Sequence, residues 1–153
     1  VGDGKVEIVR MLLEHGTNVG AQDNQGRTPL HQAAGGKWVE VVRVLLEHGA
    51  NVGAQDNQGR TPLHQAARFW FFDIIRMLLK RNANVNAQDN QGRTPLHQAA
   101  GSWNSDVARV LLEHGANVGA QDNQGRTAFQ YASANRREDT MKLLSEYGSK
   151  GVL

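Results

Sequence analysis

The string Asp-Asn-Gln-Gly-Arg-Thr begins at Asp23, Asp56, Asp89 and Asp122, and every interval is 33 residues. A unit of that size cannot bury its own apolar face, so copies must stack on one another. Three full copies run 23–55, 56–88 and 89–121, a partial copy (1–22) precedes them, and a diverged copy (122–153) follows. The array accounts for all 153 residues, so residues 1–153 are read as one repeat domain with no second domain and no linker. The partial copy holds only a second helix, near Lys5–His15. The start at Val1, without a methionine, is read as a truncation or an ordering boundary.

Within one copy the local chemistry predicts turn, helix, turn, helix. Asp23-Asn24-Gln25-Gly26 suits a type I turn, with Asp first and Gly fourth. Thr28 caps a helix whose first residue is Pro29, a position where the missing N–H costs nothing. Leu30, Ala33 and Ala34 form its apolar stripe, and the alanines permit close helix approach. Val41, Val42, Val44, Leu45 and Leu46 recur at helical spacing in the next segment. Gly49 stops it, and Gly16, Asn82, Gly115 and Gly148 hold the same register, all residues that tolerate a left-handed turn. Helix pairs are expected near 28–36/39–48, 61–69/72–81, 94–102/105–114 and 127–134/137–147.

The Thr-Pro-Leu-His-Gln-Ala-Ala strings at 28–34, 61–67 and 94–100, together with the period, closely resemble the ankyrin-repeat signature. The resemblance covers essentially the whole chain. It implies an all-α ankyrin solenoid of L-shaped units, each an antiparallel helix pair with a β-hairpin projecting at right angles. It also implies a concave protein-binding surface without catalysis. In such repeats the histidine corresponding to His31, His64 and His97 hydrogen-bonds backbone and ties neighbouring units together.

The last copy departs from the signature. It reads Thr-Ala-Phe-Gln-Tyr-Ala at 127–132, where Thr127 and Gln130 make a capping box. Ser133, Thr140 and Ser145 replace apolar residues of earlier copies, as expected for a terminal unit with a more polar outer face.

Composition removes other function classes. With 21% charged and 39% hydrophobic residues, the chain is neither disordered nor membrane-embedded, and no apolar run approaches a membrane span. No cysteine is present, which excludes disulfides, thiol catalysis and cysteine-ligated zinc, and suits either redox compartment, the cytoplasm included. The recurrent His31, His64 and His97 have no second ligand type at usable spacing, so no metal site is expected. His15, His48 and His114 lie at helix ends, where partial positive charge suits the dipole. Arg27, Arg60, Arg93 and Arg126 form a column, but each follows an aspartate by four residues. That mixed-charge edge does not track phosphates well, so no nucleic acid is expected. The acidic rim expected on a protein partner is matched to Lys37 and Arg68, the basic fringe of the segment where the copies differ, with the column a lesser contributor. Every Asp–His–Arg set occurs three times in identical form, which fits a scaffold and not one active site. No catalytic residue and no cofactor are expected.

The copies differ in one window. Copies 23–55 and 89–121 differ at six positions, all between 36 and 42 of the first. The middle copy reads Arg-Phe-Trp-Phe-Phe-Asp-Ile-Ile over 68–75, with milder changes at Met77, Lys80, Arg81, Asn82 and Asn86. Six of the nine aromatic residues fall in these windows, and rigid aromatic rings concentrate binding energy. Ankyrin repeats ordinarily carry glycine where Lys37, Trp70 and Trp103 stand. Phe72, Ile74 and Ile75 are expected in the core, whereas Trp70, Phe71 and Trp103 are expected to contact a partner.

A scrambled window on identical frameworks resembles a randomised library on a consensus scaffold, as in designed ankyrin repeat proteins. Those scaffolds also vary the hairpin tip, which here is constant. The expected function is a non-catalytic module, monomeric, binding one protein target. The alternative is an ankyrin segment of a larger natural scaffold protein. The expected contact residues are Gly36, Lys37, Trp38, Arg68, Phe69, Trp70, Phe71, Ser102, Trp103 and Asn104. They are expected to form one continuous surface, with Phe69-Trp70-Phe71 at its centre.

Overall fold

The computed structural model describes residues 3–150, and their regular structure is entirely helical. The helices are α1 Asp3–Glu14, α2 Pro29–Gly35, α3 Val39–Glu47, α4 Pro62–Phe69, α5 Phe72–Lys80, α6 Pro95–Ala100, α7 Ser105–Glu113, α8 Ala128–Ala134 and α9 Glu138–Lys150. The first helices of successive units, α2, α4, α6 and α8, pack in one row. Behind them α3 packs on α1 and α5, and α7 packs on α9. Ala33, Ala34, Ala66, Ala67, Ala99 and Ala100 are completely buried, because two methyl groups per unit let neighbouring helices approach closely. Leu30, Leu63 and Leu96 fill the space between rows, each burial stabilising by ~1.5–3 kcal/mol. Ile74 and Ile75 are fully buried, as the sequence predicts, and Phe72 is half-buried against the same core.

The first helices of the units begin as expected. Thr28, Thr61, Thr94 and Thr127 are extended N-cap residues, and proline occupies the first turn of α2, α4 and α6. The histidine three residues on completes a capping box: Thr28, Thr61 and Thr94 donate their N–H groups to Nδ1 of His31, His64 and His97 at 3.0–3.1 Å. In the last unit Gln130 Oε1 takes that role at 2.6 Å.

The helix ends also follow the sequence, with one correction. Gly16, Gly49, Asn82 and Gly115 are left-handed, and the next N–H reaches five residues back at 2.9–3.1 Å. Gly148 does not end its helix: α9 continues to Lys150, and the Ser149 hydroxyl donates to the Glu146 carbonyl at 2.9 Å. The earlier stops are each followed by an Asn whose side chain accepts an N–H two residues on and draws the chain into the hairpin. Ser149 and Lys150 supply no such group.

The two ends of the stack differ from its middle. Phe129, in the register of Leu30, is partly exposed, and Ser133 and Ser145 face solvent. Thr140 does not: it is buried on the inner side of α9, like its register mates Val41, Ile74 and Val107. On α1, Ile8, Met11 and Leu12 are more than half exposed, although their equivalents Val41, Val44 and Leu45 are buried. Among the described residues no first helix lies beside α1.

Candidate functional site

The hairpin edge and the inter-helix windows are the two surfaces that recur in every unit. At the edge, the Gly26 N–H donates to the Asp23 carbonyl at 2.9 Å, closing the expected four-residue turn. The Asp23 carboxylate accepts the N–H groups of Gln25 and Arg27 and pairs with the Arg27 guanidinium at 2.8 Å. Asp56, Asp89 and Asp122 repeat the arrangement with Arg60, Arg93 and Arg126 at 2.7–2.8 Å, their carboxyl groups almost fully buried. The backbone N–H and guanidinium of Arg27 hold the Asp23 carboxyl down at about 2. Burial opposes the same shift at Asp56, but the hydrogen bonds from Arg60 and Gln58 outweigh it. The arginine column is therefore spent on its own turns.

Those turns are linked across units. The N–H of Asn57, Asn90 and Asn123 donates to the carbonyl of Gln25, Gln58 and Gln91 at 2.9 Å. The histidines, anchored at Nδ1, donate through Nε2 to the carbonyls of Arg60, Arg93 and Arg126 at 2.8–2.9 Å. This is the inter-unit tie that the resemblance implies. It requires neutral imidazole, and burial accordingly holds all three histidines below 6.5. A Cβ on left-handed Gly26, Gly59 or Gly92 would collide with the next unit's Asn, so the tip admits no other residue. In the last unit Tyr131 joins the edge, its hydroxyl donating to Asp122 Oδ2 at 2.8 Å and its ring meeting His97 edge-on.

The windows are built in the opposite way. Lys37 (φ 61°), Trp70 (φ 62°) and Arg136 (φ 56°) occupy the left-handed position after a first helix. The next residues, Trp38, Phe71 and Arg137, donate backbone N–H to Ala33, Ala66 and Ala132 at 2.8–3.2 Å, giving the same helix-ending motif as the glycine stops. Side chains with a Cβ are strained there, at ~1 kcal/mol or more each.

The third window is rearranged. The Ser102 hydroxyl donates to the Ala99 carbonyl at 2.6 Å, and the Asn104 side chain caps α7 through the Asp106 N–H at 2.9 Å. This ends α6 at Ala100, earlier than expected, and leaves Trp103 outside the left-handed region.

The aromatic rings remain accessible: Trp38 is 43% exposed, Phe69 44%, Trp70 41% and Trp103 78%. Phe71 is half-buried, stacked on Phe69 with ring centroids 5.9 Å apart. A groove of 380 Å³ brings together Lys37, Phe69, Trp70, Phe71 and Asn104, contributed by three successive units. The remaining expected residues lie elsewhere. Trp38 turns onto Gly36 and lines a second groove of 430 Å³ with Val9, Val41 and Leu45, with Lys5 Nζ 4.9 Å from its ring. Trp103 lies on the Arg137 guanidinium at 3.4 Å. Ser102 is buried, so it shapes the turn and presents no side chain. Arg68 faces a polar cavity beside Phe69.

Two of the milder changes of the middle copy, Arg81 and Asn86, have a structural basis that the sequence did not reveal. Arg81 Nη1 donates to the Leu46 carbonyl of the preceding unit at 2.7 Å. Asn86 exchanges two hydrogen bonds with the following unit, at Asn117 N–H (2.7 Å) and the Gly115 carbonyl (3.1 Å). His48 and His114, in the register of Arg81, instead bond their own helix ends at Val44 and Val110. The only available signal was that these positions differ in the middle copy alone.

The family model for ankyrin repeats (3 copies) matches residues 1–89 and again residues 72–152. No curated protein matches the chain. Ankyrin repeats are non-catalytic modules for protein–protein interaction. With paired helices every 33 residues and a histidine tie between units, the chain belongs to the ankyrin repeat family.

Proposed function

We propose that the chain binds one protein target through the windows between its paired helices, with Phe69-Trp70-Phe71 as the anchor. The observation that carries this reading is the groove of Lys37, Phe69, Trp70, Phe71 and Asn104, which joins three units at the positions where the copies differ. Trp70 is held on a left-handed backbone that costs ~1 kcal/mol or more, and exposed aromatic rings of this kind are the side chains that concentrate binding energy. The window-confined variation further supports an artificial binder on a consensus framework over a segment of a natural scaffold protein. The gene distinguishes the two: a library clone carries nearly uniform codons and restriction sites at repeat boundaries.

The binding reading is tested with a phage-displayed random peptide library panned on the chain. Peptides that enrich should bind Trp70→Ala at least about 30-fold more weakly, the equivalent of ~2 kcal/mol. Arg126→Ala should bind them almost as the parent does. Peptides that depend on Arg126 and ignore Trp70 would place the interface on the hairpin edge instead.

A further inference from the structure

Between the second and third full copies, the hairpins and first helices enclose a polar cavity of 270 Å³. Its walls are Arg60, Arg68, Arg93, His64 and the amides of Gln58, Gln65 and Gln98. The charges there do not cancel. Arg60 and Arg93 are each neutralised by a buried carboxylate, Asp56 at 2.7 Å and Asp89 at 2.8 Å. Arg68 has no carboxylate within ion-pair distance among the described residues, and its guanidinium lies 5.5 Å from the Phe69 ring centroid.

The amides are equally uncommitted. In the first full copy Gln32 donates to Asp23 Oδ2 at 3.0 Å, and in the last copy tyrosine stands at this position. Gln65 and Gln98 make no side-chain hydrogen bond among the described residues. The feature belongs to the middle copy alone, because residues 35 and 101 are glycine and residue 134 is alanine where Arg68 stands.

We propose that this cavity receives the carboxylate of an acidic side chain on the partner, beside the apolar segment that covers the aromatic window. The proposal rests on the partner-binding reading above and names the partner's chemistry. One uncompensated cation matches a single negative charge, and a guanidinium fork with two convergent amides offers a carboxylate charge-assisted hydrogen bonds. A phosphate dianion would leave negative charge unmatched, and a nucleic-acid strand would need a row of free cations. The Arg68 guanidinium lies beside the Phe69 ring, so acid and apolar anchor would sit next to each other on the partner.

The test is an NMR titration that follows arginine Nε–H and glutamine side-chain amide resonances. The probe is N-acetyl-glutamate methylamide, and its glutamine counterpart is the neutral control. The acidic probe should shift Arg68, Gln65 and Gln98 saturably, and the neutral probe should not. Arg68→Gly, which installs the residue that two other copies carry, should weaken binding about tenfold. Arg76→Gln, an equal charge loss at an exposed site on α5, should leave it unchanged. Equal shifts from the neutral probe, or unchanged binding to Arg68→Gly, would overturn the proposal. If that happens while peptide binding still depends on Trp70, the carboxylate pocket fails and the aromatic window stands. If peptides ignore Trp70, the window fails and the titration still decides the pocket.

Discussion

The hairpin edge and the inter-helix window recur with the same period, yet they treat their functional groups in opposite ways. At the edge every aspartate, arginine and histidine is engaged within the protein, by its own turn or by the next unit. At the window, tryptophan and phenylalanine rings are accessible to solvent, and Trp70 sits on backbone that favours glycine. Polar conservation along a column is therefore no sign of a partner here, because those groups already have one. The surface that carries unspent chemistry is the one where the copies disagree.

The largest expected effect lies at the edge. Asp56→Ala removes the acceptor for the Gln58 and Arg60 N–H groups and orphans the Arg60 guanidinium. Breaking such a buried pair should cost ~3 kcal/mol in urea unfolding. A loss below ~1 kcal/mol, the range of an exposed pair, would show that the edge is not the self-satisfied surface described.

Acid attacks the same edge in two stages. Burial lowers the folded-state pKa of His31, His64 and His97 below 6.5, so the unfolded chain takes up protons first as pH falls. Their contribution is complete above 6.5 and is lost as pH falls from there through the folded values. Asp23 is lowered from 3.8 to about 2 and Asp56 is lowered from 3.8 as well, so their share is kept above 3.8 and lost as pH falls through the folded values. Urea midpoints at descending pH should fall in those two windows, and His64→Gln should shrink the first. A midpoint that stays flat between pH 7 and 5 would contradict neutral histidine ties.

The window predicts a gain instead of a loss. Trp70→Gly relieves a left-handed tryptophan, worth ~1–3 kcal/mol, against ~0.4–1 kcal/mol for the freer unfolded chain, and should stabilise the fold by ~1 kcal/mol. Window-directed peptides should bind this variant more weakly. Stability and binding moving in opposite directions at one residue is what separates a contact surface from core. Destabilisation by more than ~1 kcal/mol would mean that the Trp70 ring is packed after all.

What the sequence disclosed follows from the same contrast. The helix pairs and their ends are local and strictly periodic, so Thr28, Pro29 and Gly49 announce them, whereas the histidine ties are implied only by the family resemblance. Features that depend on a neighbour were hidden. Arg81 and Asn86 reach carbonyls and amides of adjacent units, which no pattern within one copy displays. Gly148 looked like a stop because its register matched, but the asparagine that diverts the chain after other stops is missing. Thr140 reads as one of the polar residues of the terminal unit's outer face, yet α9 turns it inward. The window was legible as a location, while the division of its residues among separate grooves depends on how each ring turns. Trp38 folds back toward α1, and the hydroxyl of Ser102 points into its own turn.

The smallest expected effect decides how far the window extends. Trp103 occupies the same register as Trp70, but its backbone is not left-handed, because Ser102 and Asn104 hold that turn through side-chain hydrogen bonds. Trp103→Gly therefore has no strain to release. It frees the unfolded chain and removes an exposed stacking contact with Arg137, a cation–π interaction worth ~0.5 kcal/mol. The fold should lose roughly 0.5 kcal/mol, the opposite sign to Trp70→Gly. Urea midpoints of the two variants measured side by side read that difference directly. If both substitutions stabilise, the third turn is left-handed like the others, and Ser102 does not set it. If the signs differ and Trp103→Gly binds window-directed peptides as the parent does, the contact surface ends at Asn104. A matching loss of binding would extend the surface across the third copy to the stacked Trp103–Arg137 pair.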